Sequence, residues 1–242
     1  MSKKHVFKSG DYFALGINRN RYVLGRVLLN IEEECEGSNL IDYEKSTFYK
    51  SYCALGNAIL IELYDNILEN AVLPESPLNI AIPYVFVDNT AIDRELWLYL
   101  GNKDVDPLSM DFPEIVMFEI GKGYCFTRGE ISIRLKGEEQ YWTDKLAFAR
   151  TPPEIQNSLA IRNYILYRKG MFQDIYELVG LPNFPIEKFK RFFGDLKYEP
   201  ELRKEIYSNI EEDPHQSYYE MALKHGHDIR RFFTIGKQKG SQ

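Results

Sequence analysis

The stretch that decides the fold runs from Gly10 to Asn30 and reads GDYFALGINRNRYVLGRVLLN. Residues Asp11 to Ile17 alternate in the manner of a β-strand. This alternation places Tyr12, Ala14 and Gly16 on one face and Phe13, Leu15 and Ile17 on the other. The stretch therefore predicts the first arm of a β-hairpin.

The second half of the same stretch predicts the turn and the return arm. Asn18 to Asn20 form the turn, because asparagine tolerates the left-handed conformation that such turns need. Tyr22 to Leu29 is rich in β-branched and aromatic residues, which favour strands. Gly25 interrupts this arm and indicates a bulge, a sharp bend or a close approach of another backbone segment. We therefore expect an antiparallel, strongly curved sheet or a partly open small barrel.

Further strands are predicted along the first 150 residues, beginning with a short lead-in strand at Val6–Lys8. Asn57 to Tyr64 is nearly continuous in apolar residues, which predicts a central strand covered on both faces. We expect Asp65-Asn66 to end it and a short helix to follow at Asn66–Val72. The later strands are predicted as a pair, Tyr84–Val87 with Glu95–Leu100, and a meander of Ile115–Ile120, Tyr124–Thr127 and Ile131–Leu135.

The pattern changes at Thr151-Pro152-Pro153, and the apolar spacing after it is helical. Pro200 is expected to open one helix, and Asp213-Pro214 to open the last one. The sequence therefore predicts an α+β protein with a β-rich domain at 1–150 and a helical region at 151–242.

Composition limits the classes of function. Hydrophobic residues make up 44% of the chain and charged residues 27%, which is typical of a globular protein. The net charge of -6 argues against direct nucleic-acid binding, which usually needs a basic surface, and suits a basic partner. No apolar run is long enough for a signal peptide or a membrane span, so we expect a cytoplasmic protein without membrane contact.

Candidate chemistry is sparse. The cysteines, Cys35, Cys53 and Cys125, have no C-x-x-C spacing, which argues against a disulfide framework or a zinc site. His225 and His227 could ligate a metal, but no third ligand is identifiable, so we expect neither metal nor cofactor.

Two further sets of residues can be considered as functional candidates. A cysteine–histidine nucleophile pair stays open, since such partners meet in space and not in sequence. Trp97 and Trp142 are expected to anchor the core.

The chain contains one dense acidic run within a polar stretch, Ile31 to Lys50. Such a run is usually a solvated loop. It can also form a contact surface for a basic partner, because packed like charges need a cation to offset their repulsion. The candidate contact residues are Glu32, Glu33, Glu34 and Glu36.

Several short motifs occur in order along the first 65 residues. They are Gly10-Asp11, the arm Tyr12–Leu15, Tyr22, Leu24-Gly25-Arg26-Val27 and the strand end LIELYD at Leu60–Asp65. Together they resemble the Imm26 family of bacterial immunity proteins. The residues that carry the motif are Gly10, Asp11, Gly25, Arg26, Tyr64 and Asp65. The resemblance covers roughly residues 8–66 of this chain.

The resemblance implies a protein without catalytic residues that binds a cognate toxin and blocks its active site or substrate access. Many polymorphic toxins are nucleases with basic surfaces, which an acidic inhibitor would complement. Two alternatives stay open from the residues: a hydrolase with a cleft between the β-rich and helical halves, and an adaptor whose helical half binds another protein. The identity of the neighbouring gene would distinguish the inhibitor from these alternatives. A large secreted multidomain protein encoded just upstream would favour the inhibitor.

Overall fold

A computed structural model describes residues 5–36, 58–88, 97–119, 121–146, 162, 165–166, 169–170 and 195–234. The chain divides into two compact units that interleave in sequence. The first comprises Met1–Gly37, Asn57–Val105 and Ile155–Phe189, and the second comprises Ser38–Gly56, Asp106–Glu154 and Lys190–Gln242. A domain boundary at residue 150 falls outside the described residues and stays a prediction.

The first unit contains an antiparallel sheet of five strands, which we call sheet A. Its strands are β1 (Asp11–Gly16), β2 (Tyr22–Asn30), β3 (Ala58–Leu68), β4 (Ile80–Asp88) and β5 (Trp97–Asn102). Their order across the sheet is β4-β3-β2-β1-β5, which leaves the sheet open. The predicted hairpin is confirmed as the β1–β2 pair.

The two faces of the hairpin are those that alternation predicts. Phe13 stacks on Trp97, with ring centroids 4.0 Å apart. Tyr12 packs on the opposite face in a buried cluster with Leu24 and Tyr64. Residues 58–64 of β3 are all buried, and β3 lies between β2 and β4, which confirms the predicted central strand.

The second unit contains a three-stranded antiparallel sheet, sheet B, and short helices. Sheet B is the predicted meander, β6 (Glu114–Glu119), β7 (Gly123–Arg128) and β8 (Ile131–Arg134). The helices are α1 (Glu139–Lys145), α2 (Pro200–Ile210), α3 (Tyr218–Lys224) and α4 (Arg231–Thr234), with a 3-10 turn at Leu196–Tyr198. Pro200 opens α2 as predicted. Both sheets are antiparallel, which confirms the α+β class.

Four local predictions in the first unit were wrong. β3 continues past Asp65-Asn66 to Leu68, so the predicted helix at Asn66 does not form. The strand continues because Ile67 and Leu68 pair with Val23 and Tyr22 of β2. The predicted Tyr84–Val87 and Glu95–Leu100 pair does not form, since β4 and β5 lie at opposite edges of sheet A. Residues 6–8, a suggested lead-in strand, are not in a strand.

The fourth error concerns the hairpin turn. It lies at the predicted residues, but none of its asparagines has a positive φ. Instead, Asn18 Oδ1 accepts a hydrogen bond from the Asn20 backbone N–H at 3.3 Å, and the Ile17 N–H donates to the Arg21 carbonyl at 2.7 Å. The side chain thus closes the turn without a left-handed residue.

The helices also differ from the prediction at two places. α1 lies within the β-rich part and was not predicted. α3 begins at Tyr218, not at Asp213-Pro214, because Ser217 and Glu220 form a reciprocal capping box.

Candidate functional site

The acidic run begins as a short helical segment instead of the predicted loop. Residues Ile31–Glu36 form a π-helical turn directly after β2, which we call the acidic turn. Glu33 is exposed there. The side chains of Glu32 and Glu36, and residues 37–57, lie outside the described part of the chain.

Glu34 faces inward and does not contribute a free surface charge. Its carboxylate accepts hydrogen bonds from the Ser9 hydroxyl at 2.6 Å and from the Asn30 backbone N–H at 2.7 Å. Burial raises the pKa of Glu34, and the hydrogen bonds from Ser9 and Asn30 oppose that rise. Glu34 therefore anchors the acidic turn to residues 5–10, which we call the lead segment.

The lead segment is held on its other side by β5. Asp11 is fully buried and accepts hydrogen bonds from the Lys8 backbone N–H at 3.0 Å and from the Asn102 amide at 2.6 Å. The same Asn102 amide donates to the Ser9 carbonyl at 3.1 Å. Asp11 also pairs with the His5 ring at 2.8 Å. The acidic turn, the lead segment and the end of β5 thus form one connected surface of the first unit.

Gly10 is required at this junction. Its φ is +91°, a backbone conformation that residues with a side chain rarely adopt, and a Cβ there would clash with the Lys103 carbonyl oxygen. The Gly10 N–H donates to the Val27 carbonyl at 2.9 Å, and the Lys103 N–H donates to the Gly10 carbonyl at 3.0 Å. Gly10-Asp11 therefore joins the lead segment to the sheet.

The other motif residues form a second cluster across β1, β2 and β3. The Arg26 guanidinium lies 5.1 Å from the Tyr12 ring centroid and 3.5 Å from a Glu62 carboxylate oxygen. Its NH2 donates to the Lys103 and Asp104 carbonyls at 2.8 and 2.9 Å. The Tyr64 hydroxyl donates to the Glu62 carboxylate, and burial together with that bond raises the pKa of Tyr64. Asp65, the last motif residue, continues the ladder to β4 through its backbone.

The second unit contains a buried charge cluster that sequence reasoning missed. Glu114 on β6 is fully buried and accepts from Arg203 at 2.8 Å and from the Tyr207 hydroxyl at 2.9 Å. Arg128 on β7 binds both Asp111 oxygens, at 2.7 and 2.8 Å. These carboxylates are occupied by cations of the same unit, which is the arrangement of a structural support. Glu114 and Arg203 are 89 residues apart, so no local pattern signals the pair.

The structure describes two of the three cysteines. Cys35 and Cys125 are buried and form no disulfide, and burial raises the pKa of Cys125. Cys53 lies outside the described residues. The His225 ring pairs with Glu212 at 3.0 Å, and burial lowers the pKa of His227.

Two observations concern metals and membranes. Within the described ranges, no group of three or more His, Cys, Asp and Glu side chains is placed to hold a metal ion, and the absence of a bound metal stays a prediction. None of the helices among the described residues is long and apolar enough to cross a lipid bilayer.

Trp97 and Trp142 are buried, with 6% and 2% of their surfaces exposed, which confirms them as core anchors.

Comparison with known families gives a match for the N-terminal part of the chain. Residues 8–126 match the family model described as Immunity protein 26, Imm26. The match confirms the resemblance and extends beyond residue 66 through β5 and β6 into β7. No curated protein and no solved structure gives a significant match.

Proposed function

We propose that this chain, whose N-terminal part is of the Imm26 family, binds a cognate bacterial protein toxin and neutralises it without catalysis. The observation that carries the proposal is the family match over residues 8–126. The match includes the whole of sheet A, the acidic turn and residues 8–10 of the lead segment. Immunity proteins of this kind are generally non-catalytic.

Charge supports a basic partner. The chain carries a net charge of -6, and Glu33 is exposed on the acidic turn. Opposite charges on two proteins accelerate encounter and orient it. We propose a toxin with a basic surface, such as a nuclease, whose active site or substrate path is covered in the complex. Glu32, Glu33 and Glu36 are the proposed acidic contacts, and Glu34 holds their backbone in place.

The test uses the toxin domain encoded beside the gene of this chain, here called the neighbouring toxin. Cells that express it should stop growing, and co-expression of this chain should restore growth. The purified proteins should form a stable complex in gel filtration. Growth arrest that persists despite expression of folded protein, with no complex formed, would overturn the proposal.

A titration separates inhibition from hydrolysis. A binding inhibitor abolishes toxin activity at about one chain per toxin, whereas a hydrolase acts at substoichiometric amounts and continues with time. We expect residual toxin activity to fall linearly up to equivalence and then to stay constant. Loss of activity at one chain per hundred toxins would support the hydrolase alternative instead.

A further inference from the structure

We infer that the outer edge of β5 accepts an extended segment of the toxin as an added strand of sheet A. The inference rests on the proposed function and names the backbone surface through which it would act. β5 pairs with β1 on its inner side and is the last strand of sheet A. Across the described part of the chain, no strand pairs with the outer side of Leu98–Leu100. A strand with unpaired N–H and C=O groups is a template for another strand.

The other sheet edges are protected. β4 contains Pro83, which cannot donate to a ladder, and its register with β3 shifts twice. β6 is covered at its start, where the Glu114 backbone N–H donates to the Asp195 carboxylate at 3.1 Å. β8 is only four residues long. Short strands, proline, bulges and covering segments are the usual means of blocking edge pairing.

Within β5 itself, no charged side chain and no proline protects the first half of the edge. Its sequence, WLYLGN, contains neither a charged residue nor a proline. Its register against β1 shifts between Tyr12 and Phe13, opposite Leu100. The bulge therefore limits the open edge to the residues before it, and an added strand would be short.

Apolar side chains beside this edge are exposed to solvent. Leu98 is 43% exposed and Tyr99 is 45% exposed. Successive strand residues point to opposite faces, so an added strand meets one apolar group on each face. Val6 of the lead segment is 51% exposed, and the His5 ring packs on Tyr99 with centroids 4.0 Å apart. An exposed apolar group of this kind beside an open edge is typical of a binding surface.

Charge favours the toxin over a second copy of this chain. A second copy carries the same net charge of -6 and is repelled, whereas a basic toxin is attracted. The end of β5 is joined to the acidic turn through Ser9, which contacts Asn102 on one side and Glu34 on the other. A basic residue flanking the added strand would therefore lie on the same connected surface as the acidic turn, where Glu33 is exposed.

The experiment measures binding of the neighbouring toxin to wild type, Leu98→Lys and Tyr99→Lys. Lysine on an edge strand blocks strand addition. Val72→Lys is the matched control, since Val72 is 67% exposed in a loop of the same unit. Thermal melts establish that each variant is folded. Hydrogen exchange of the amides at 98–100 is followed with and without the toxin.

We expect each β5 variant to weaken binding at least tenfold, Val72→Lys to bind as wild type, and some of the amides at 98–100 to gain protection in the complex. If the wild type binds the toxin, both β5 variants bind equally tightly and the amides at 98–100 gain no protection, the edge inference is overturned and the proposed function stands. Absence of any wild-type complex would overturn both. If the protein forms a dimer without the toxin and Tyr99→Lys makes it monomeric, the edge binds a second copy of this chain and the toxin assignment is overturned.

Discussion

At the scale of the residue, Gly25 shows how one position limits the sheet. It lies beside a shift in register between β2 and β3, so the predicted bulge is confirmed. A Cβ at Gly25 would lie 2.8 Å from Leu63 Cδ2 and closer still to the Phe13 ring. Phe13 is itself stacked on Trp97 and cannot move aside freely. The groups that crowd Gly25 are therefore the side chains of Phe13 and Leu63, and not the approaching backbone that the sequence suggested.

We predict that Gly25→Ala lowers the free energy of unfolding by about 1–3 kcal/mol, because overpacking forces neighbours off their preferred positions. Urea denaturation measures the loss. Gly16→Ala on the adjacent strand is the control, since the atom nearest to its Cβ would be 4.0 Å away. Equal stability of Gly25→Ala and wild type would mean that the Phe13 ring relaxes at no cost.

A second residue-scale prediction concerns pH. Burial raises the pKa of Glu130 to about 6, although Arg231 opposes the rise. The folded state therefore binds a proton at a pH where the unfolded chain does not. As the pH falls from 7 through 6 towards 4.5, this carboxyl should add about 1–2 kcal/mol to the free energy of unfolding.

The measurement compares wild type with Glu130→Gln, which cannot titrate but keeps an oxygen for Arg231. Urea denaturation at pH 7 and pH 4.5 should show wild type gaining stability relative to the variant at the lower pH. Other titrating groups are common to both proteins and cancel in this comparison. A pH-independent difference would show that the pKa of Glu130 is the same in the folded and the unfolded state.

At the scale of the element, the buried Glu114 joins β6 to α2. Glu114→Gln should leave the Arg203 guanidinium without its countercharge and lower the free energy of unfolding by about 3–5 kcal/mol. Glu119→Gln is the matched control at the other end of β6. Its partner Lys122 is exposed to solvent, which screens the charge, and a glutamine oxygen at 119 can still accept from the Ser132 hydroxyl, so we expect a loss of at most about 1 kcal/mol.

Chemical denaturation of both variants is the test. A large loss for Glu114→Gln with a small loss for Glu119→Gln would confirm that the buried cluster holds the strand and helix together. Similar small losses would mean that water replaces the carboxylate charge at Glu114.

At the scale of the whole molecule, net charge should govern the rate of toxin association. We predict that Glu33→Lys slows association with the neighbouring toxin about two- to fivefold at 10 mM salt, because charges at the rim act mainly on encounter. The difference should shrink at 0.3 M salt, where screening shortens the reach of the field. Glu34 is left intact, since its reversal would break the bonds to Ser9 and Asn30.

Glu75→Lys controls for the change in net charge, because Glu75 is exposed elsewhere in the first unit. Biolayer association at both salt concentrations gives the rates. If Glu33→Lys and Glu75→Lys slow association equally, net charge alone acts and the acidic turn is not the contact. If neither changes the rate, the contact lies on another surface.

Local pattern alone determined several features of this protein. Alternation along Asp11–Leu29 and the three strands of the meander predict the hairpin and sheet B, because each depends on neighbours close in sequence. Gly10-Asp11, Leu24–Val27 and Leu60–Asp65 carried the Imm26 resemblance, because each is a short local pattern.

Only the tertiary structure decided how these pieces are connected. It placed β5 beside β1, directed Glu34 toward Ser9, and paired Glu114 with Arg203. These contacts join residues 25 to 91 positions apart, and Phe13 and Trp97 are likewise remote in sequence. A contact between residues so far apart produces no periodic pattern in the sequence, because it depends on which surfaces pack together in the folded protein. The open edge of β5 and the inward carboxylate of the acidic turn follow from that packing.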